Sequence, residues 1–194
     1  KQLGLQVAGQ VYTQMPVLAD SSPETRYIQE LGKRLANTIP ADRSWPFQFH
    51  VVAQKEINAF ALPGGPIFVN IGTINAASNE AELAGVMAHE MSHVYMQHSA
   101  KQMQKSTVPG ILAGLGQIAG QVLGGVGGAV ASIGGQLAGG LLSMKYSRAD
   151  EAQADAVGAI IMWKAGYNPR AMAEFFEKLE QEAGVLFLEL KRTQ

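Results

Sequence analysis

The chain has 194 residues, 47% apolar and 16% charged; fifteen Lys and Arg against sixteen Asp and Glu give a formal net charge of −1. That apolar fraction excludes a disordered or coiled-coil chain, and without a basic excess there is no electrostatic footprint for a nucleic-acid partner. The absence of cysteine excludes disulfides, thiolate metal ligands and cysteine nucleophiles together. The length fits a single domain spanning 1–194. The sequence opens at Lys1 inside a predicted helix, with neither an initiator Met nor a signal peptide, as expected of a processed chain.

Ser22-Pro23-Glu24 reads as an N-cap, a Pro at the first helical position and an acidic first turn. Tyr27, Ile28, Leu31 and Leu35 follow at helical spacing, predicting a helix to about Thr38. Phe47 to Ala53 alternates and is rich in aromatic and β-branched residues, which predicts a strand. Ile57 to Leu62 and Ile67 to Ile71 flank the turn Pro63-Gly64-Gly65-Pro66, adding two more strands. A small, mostly antiparallel sheet is expected. Ser78 or Asn79 caps the next helix, with Glu82 placed to complete a capping box on Asn79, and the helix is expected to run to about Gln104. A further helix is predicted over Arg148 to Ala165, stopped by Gly166. Asn168-Pro169 opens a last one through Phe175, Phe176 and Leu179, ended by Gly184. The fold class is α+β, predominantly helical.

His89-Glu90-Met91-Ser92-His93 lies inside a predicted helix. Residues i and i+4 share one face, so both imidazoles can bind one metal ion, unless they are two surface histidines on an ordinary helix. Glu90 is offset by about a third of a turn, where it can reach a metal-bound water without occupying a coordination position. Met96 and Ser99 stand where the metzincin pattern needs Gly and His, so that class is excluded. His98 falls on the opposite side of a continuous helix and reads as a solvated or hydrogen-bonded histidine. Glu151 and Asp155 share another helical face: Glu151 can ligate the metal, and Asp155 can accept from the free nitrogen of a ligating histidine. A solvated acidic face is the alternative, but small residues at 149, 152, 154 and 156 favour a buried, closely packed helix.

Between Ser106 and Met144 no side chain is charged, and twelve glycines fall between Gly110 and Gly140. Pairs such as Gly116/Gly120 and Gly120/Gly124 repeat the small-x-x-x-small spacing of close helix packing in membranes. Three readings stand for this insert: a transmembrane hairpin, a monotopic helix pair or flap on a membrane or envelope-protein partner, and a buried hairpin over the cleft. As a lid, it would gate the cleft on glycine hinges.

H-E-M-S-H at 89–93 and S-R-A-D-E-A-Q-A-D at 147–155, with Gly158 three residues on, resemble the M48 family of zinc metallopeptidases, of the gluzincin type. Asn58-Ala59-Phe60-Ala61-Leu62-Pro63-Gly64-Gly65 and Ala165-Gly166-Tyr167-Asn168-Pro169-Arg170 are similar to family segments as well. The resemblance runs from about residue 50 to residue 180. It implies a zincin-like domain and one zinc ion per chain, held by His89, His93 and Glu151 with water as fourth ligand. It implies Glu90 as the base that activates this water and Asp155 as a supporting hydrogen-bond acceptor. Asn58, Ala59 and Phe60 are implied to bind the substrate backbone as an edge strand. Tyr146, His98, Arg148 and Tyr167 are the candidates for stabilising the oxyanion. Where many family members carry a Thr-His-Pro segment and an Arg soon after the Phe-Phe helix, this sequence reads Val185-Leu186-Phe187-Leu188-Glu189-Leu190-Lys191-Arg192. The implied function is endopeptidase cleavage of unfolded or misassembled polypeptides in the bacterial periplasm or cell envelope. Its rivals are a latent zinc module acting as an envelope assembly factor, and an integral membrane protease.

Overall fold

The computed structural model describes residues 8–9, 11–99, 101 and 146–192, those beyond 181 by backbone alone. The insert at 106–144 and its three readings lie outside the described residues. Helix α1 (Pro23–Ala36) begins as the sequence predicts: the Ser22 hydroxyl accepts from the Thr25 N–H, with Pro23 in the first turn. Ile28, Leu31 and Leu35 are buried, while Tyr27 turns outward to donate to Glu80. Gly32 lets α1 press onto the sheet, since a Cβ there would stand 2.4 Å from the Phe49 ring.

The sheet consists of β1 (Gln48–Val52), β2 (Ala59–Ala61) and β3 (Pro66–Asn70) in the order β1-β3-β2. The expected three strands are present, and their pairing is mixed rather than mostly antiparallel. β2 and β3 form the hairpin announced by Pro63-Gly64-Gly65, but β1 pairs with β3 in parallel. A parallel neighbour needs a crossover connection, and residues 53–58 together with β2 supply it. Residues 16–18 cover the outer side of β1, where the Leu18 N–H donates to the Val51 carbonyl and the Ala53 N–H to that of Pro16. The outer edge of β2 is therefore the sheet's second boundary. β3 is buried along its whole length. Phe49, Val51, Ile67 and Val69 face the main core with α1 and with residues such as Met87, Met91 and Met162, whereas Val52, Phe60, Leu62 and Phe68 face a second cluster with Val11.

A short helix α2 (Ile71–Ala76) follows β3 without a sequence signal. Helix α3 (Glu80–Tyr95) is capped by the Asn79 side chain, which accepts from the Glu82 N–H at 3.0 Å. The Glu82 carboxylate bonds back to the Ser78 N–H at 2.7 Å, not to Asn79, so the reciprocal box is shifted one residue upstream. α3 stops at Tyr95, not near Gln104: Gln97 adopts φ 56°, a left-handed conformation that breaks the helix. α4 (Arg148–Lys164) opens on a capping box between Ser147 and Asp150. α5 (Arg170–Arg192) passes through Gly184 instead of ending there. One interior glycine costs about 1 kcal/mol, less than the flanking Leu, Glu and Lys residues can offset.

α5 is latched to the start of α3 by Lys178, whose ammonium donates to the Glu82 carboxylate at 2.7 Å, the Ala76 carbonyl and the Ser78 hydroxyl. Burial alone would raise the Glu82 pKa, but Lys178 and the Ser78 N–H outweigh it and hold the carboxyl below its ordinary 4.5. A carboxyl depressed in the folded state adds stability above the unfolded pKa and loses it as pH falls through the folded value. Glu82→Ala is expected to cost about 2–3 kcal/mol at pH 7. The cost should shrink as pH falls from 4.5, the ordinary value, through the lower folded value, below which the carboxyl is uncharged in both states. Urea unfolding of the metal-free proteins from pH 7 down through this range measures both.

Candidate active site

α3 and α4 meet at Gly158. A Cβ at this position would stand 3.2 Å from the His89 backbone nitrogen and 3.3 Å from the Ala88 carbonyl carbon. The close approach brings Glu151, two turns earlier on the same face of α4, to the histidine pair. His89 Nε2 lies 3.1 Å from His93 Nε2 and 3.2 Å from Glu151 Oε2, and His93 Nε2 lies 3.8 Å from that same oxygen. Ligand atoms about 2.0–2.2 Å from a tetrahedral zinc stand roughly 3.4 Å from one another. The triangle fits such an ion, and the two-nitrogen, one-oxygen donor set is that of a catalytic zinc site.

The expected burial of α4 does not hold throughout. Ala154 is buried, but Ala149, Ala152 and Ala156 are exposed, and the Glu151 and Asp155 side chains are 43% and 55% exposed. The carboxylates stand on the helix's accessible side. Asp155 Oδ1 is 3.0 Å from His89 Nδ1. An ionised carboxylate only accepts, so His89 donates from Nδ1 and presents the lone pair of Nε2 to the ligand triangle. The Phe176 ring lies edge-on against His89 at 5.4 Å.

Burial, then the neighbouring His89 and His98, pulls the His93 pKa down to about 3, so its ring is neutral and able to ligate at physiological pH. Glu90 is pushed up to about 8, first by burial and then by the negative charge of Glu151, against the opposing effect of the Ala61 N–H. A dication among these groups would favour the charged carboxylate.

Glu90 thus sits beside β2. Asn58, Phe60 and Leu62 direct their backbone groups at β3 and its neighbours: the Asn58 carbonyl accepts from Asn70 and Thr73, and the Leu62 N–H donates to Pro66. By strand parity, the N–H and C=O groups of Ala59 and Ala61 point to the outer edge. Asn58 is exposed, with its backbone held by Thr73. The Phe60 ring is buried and stacks on Phe68 at 5.1 Å.

Of the four oxyanion candidates, Tyr167 donates to Glu80 at the far end of α3. The Tyr146 hydroxyl is 2.6 Å from Ser99 Oγ, and its ring stacks on His93 with a 4.0 Å centroid separation. Arg148 is exposed in the first turn of α4. His98 is 1% exposed and bonds His93, so of the two expected states it is the hydrogen-bonded one, and it does not lie on the opposite side of the helix. The break at Gln97 turns it back, and a helical wheel drawn through 98 has no means of finding it.

The family model described as peptidase family M48 matches residues 22–193. The chain belongs to peptidase family M48. It is similar to the beta-barrel assembly-enhancing protease of Escherichia coli K12, with 34% identity over 164 residues, covering 82% of this chain and 33% of that protein. The same identity and coverage relate it to the beta-barrel assembly-enhancing protease of Yersinia pestis. The mitochondrial metalloendopeptidase OMA1 of Schizosaccharomyces pombe is 30% identical over 169 residues, covering 87% of this chain and 48% of its own length. The chain spans about a third of the length of the bacterial relatives. This M48 family member is mostly helical with a small mixed sheet, and its two motif helices are in contact through Gly158.

Proposed function

We propose that this M48 domain is a zinc-dependent endopeptidase acting on unfolded or misassembled proteins of the bacterial cell envelope. The observation that carries the reading is the ligand triangle of His89, His93 and Glu151 with the Glu90 carboxyl next to it. A zinc ion held there supplies Lewis acidity toward the scissile carbonyl and lowers the pKa of water. Glu90 accepts the proton of the attacking water on its carboxylate and returns it to the leaving amine. Asp155 keeps His89 in the ligating tautomer.

The outer backbone groups of Ala59 and the outer carbonyl of Ala61, whose N–H is taken by Glu90, receive an extended peptide as an added strand, which gives affinity with little demand on side chains and suits unfolded substrates. The bacterial relatives' name, beta-barrel assembly-enhancing protease, supports the envelope. Among the described residues no helix is long and apolar enough to cross a membrane.

The test is cleavage of a reduced, alkylated protein by the zinc-loaded chain, with product masses read to locate internal cuts. Cleavage should stop on chelation and return with zinc. Cleavage that survives chelation, or its absence from a chain carrying one zinc, overturns the reading. Ala59→Pro removes one outward N–H while leaving every bond to β3 intact. It is expected to raise KM for an extended peptide roughly fivefold, the equivalent of about 1 kcal/mol, with little change in Tm.

A further inference from the structure

Of the two imidazoles in the ligand triangle, only His89 has a carboxylate on its far nitrogen among the described residues. The far nitrogen of His93, Nδ1, meets another histidine instead: His98 Nδ1 lies 2.9 Å away. Two imidazole nitrogens can share one hydrogen in either direction, and the direction decides whether His93 can bind a metal. If His98 donated from Nδ1, His93 would carry its proton on Nε2, inside the triangle. The other side of His98 settles the matter. His98 Nε2 stands 3.1 Å from the Gln153 side-chain oxygen and 3.6 Å from Asp150 Oδ1. Both oxygens attract the proton to Nε2, leaving His98 Nδ1 as an acceptor. His93 therefore donates from Nδ1, and its Nε2 lone pair is free toward His89 Nε2 and Glu151.

We propose that His98 is a positioning residue of this centre, a buried imidazole that, oriented by Gln153 and Asp150, locks His93 in the metal-ligating tautomer. Support for the arrangement is steric as well as polar. His98 is 1% exposed, and Tyr146 covers His93 with its ring while bonding Ser99 beside His98. The left-handed Gln97 supplies the reversal that brings His98 to His93. α4 thus orients both ligating rings, His89 directly through Asp155 and His93 indirectly through Gln153 and His98. The inference rests on His93 being a metal ligand, so the test separates the two questions.

The first measurement is ¹⁵N NMR of the metal-free protein, which reads each ring's tautomer without zinc. Wild type should show His93 protonated on Nδ1 and His98 on Nε2; His93 protonated on Nε2 overturns the proposal. The second is zinc affinity by competition with a chromophoric chelator. His98→Phe, which keeps bulk but removes the acceptor, should weaken zinc binding by about 10- to 100-fold. His98→Asn, whose side-chain oxygen replaces Nδ1, should recover most of it. Should His98→Phe fail to fold, Gln153→Ala on the exposed side of α4 serves in its place, with a several-fold loss and a mixed His98 tautomer. Unchanged affinity in a folded His98→Phe variant, with His93 still protonated on Nδ1, also overturns the proposal. Wild-type protein that binds no zinc would refute the metallopeptidase reading, while the tautomer pattern would still judge His98.

Discussion

Replacing Glu90 by Gln is expected to slow peptide cleavage by about 10²–10⁴-fold, the usual worth of a positioned general acid–base group. Zinc binding should stay within a few-fold of wild type, because the ligand triangle contains no atom of residue 90. The Gln oxygen can still accept from the Ala61 N–H, so the side chain can keep its place. What it loses is the ability to take a proton from water and hand it on. The substitution also removes a carboxyl whose charged form is disfavoured by burial and by Glu151. Folding stability should therefore be equal to wild type or higher, which distinguishes loss of chemistry from loss of structure. Turnover, zinc stoichiometry and Tm measured on one preparation decide the matter. Retained turnover would remove Glu90 from the mechanism.

The second large effect is expected at Glu151. Glu151→Ala leaves two histidines as ligands, and zinc affinity should fall by more than about 100-fold, beyond the range for groups that merely support a ligand. The loss should appear in stability as well as in activity. A metal that binds only the folded chain stabilises it by about 4 kcal/mol when free zinc is about 1,000 times its Kd. Chelation should remove that increment from wild type, and Glu151→Ala should show neither the increment nor its loss over the same zinc range. Asp155→Asn should fall between the two. Its amide cannot act as a carboxylate acceptor for His89 Nδ1, and an affinity loss of about 10-fold or more is expected. Differential scanning calorimetry across a zinc titration gives all three results.

Much of the site was legible because its parts are local. The i, i+4 spacing of His89 and His93 and of Glu151 and Asp155 places each pair on one helical face, whatever the helix packs against. The caps at Ser22 and Asn79 were legible too, since a short polar side chain just outside a periodic run has few other uses, whereas the capping box at Ser147 was not read. The turn at Pro63-Gly64-Gly65 was similarly legible: Gly64 and Gly65 both adopt positive φ. The departures arose where a local rule competed with long-range packing. The helix expected to reach Gln104 breaks at Gln97, a residue type with no preference for the left-handed conformation it adopts. α4 looked buried because it is rich in small residues, yet Ala149, Ala152 and Ala156 line its exposed side, and the contact with neighbouring elements is made by Ala154 and Gly158 together with Ile161 and Met162.

The sequence by itself determined the candidate metal-binding set: a histidine pair with an adjacent glutamate, a second acidic pair on another helix, and a composition without competing chemistry. It also determined the starts of α1, α3 and α4 and the number of strands, but not α2. The tertiary structure alone decided that β1 runs parallel beside β3, leaving the outer backbone of β2 beside Glu90. It alone decided that His98 supports His93, and that the Lys178 latch closes on Glu82. The physical reason is a difference in range. Helical periodicity fixes the direction of a side chain to within one face, but a metal site requires ligand atoms of His89 and Glu151, on different helices, to converge within a few ångströms. That distance is set by how closely two backbones approach at Gly158, which no periodicity encodes.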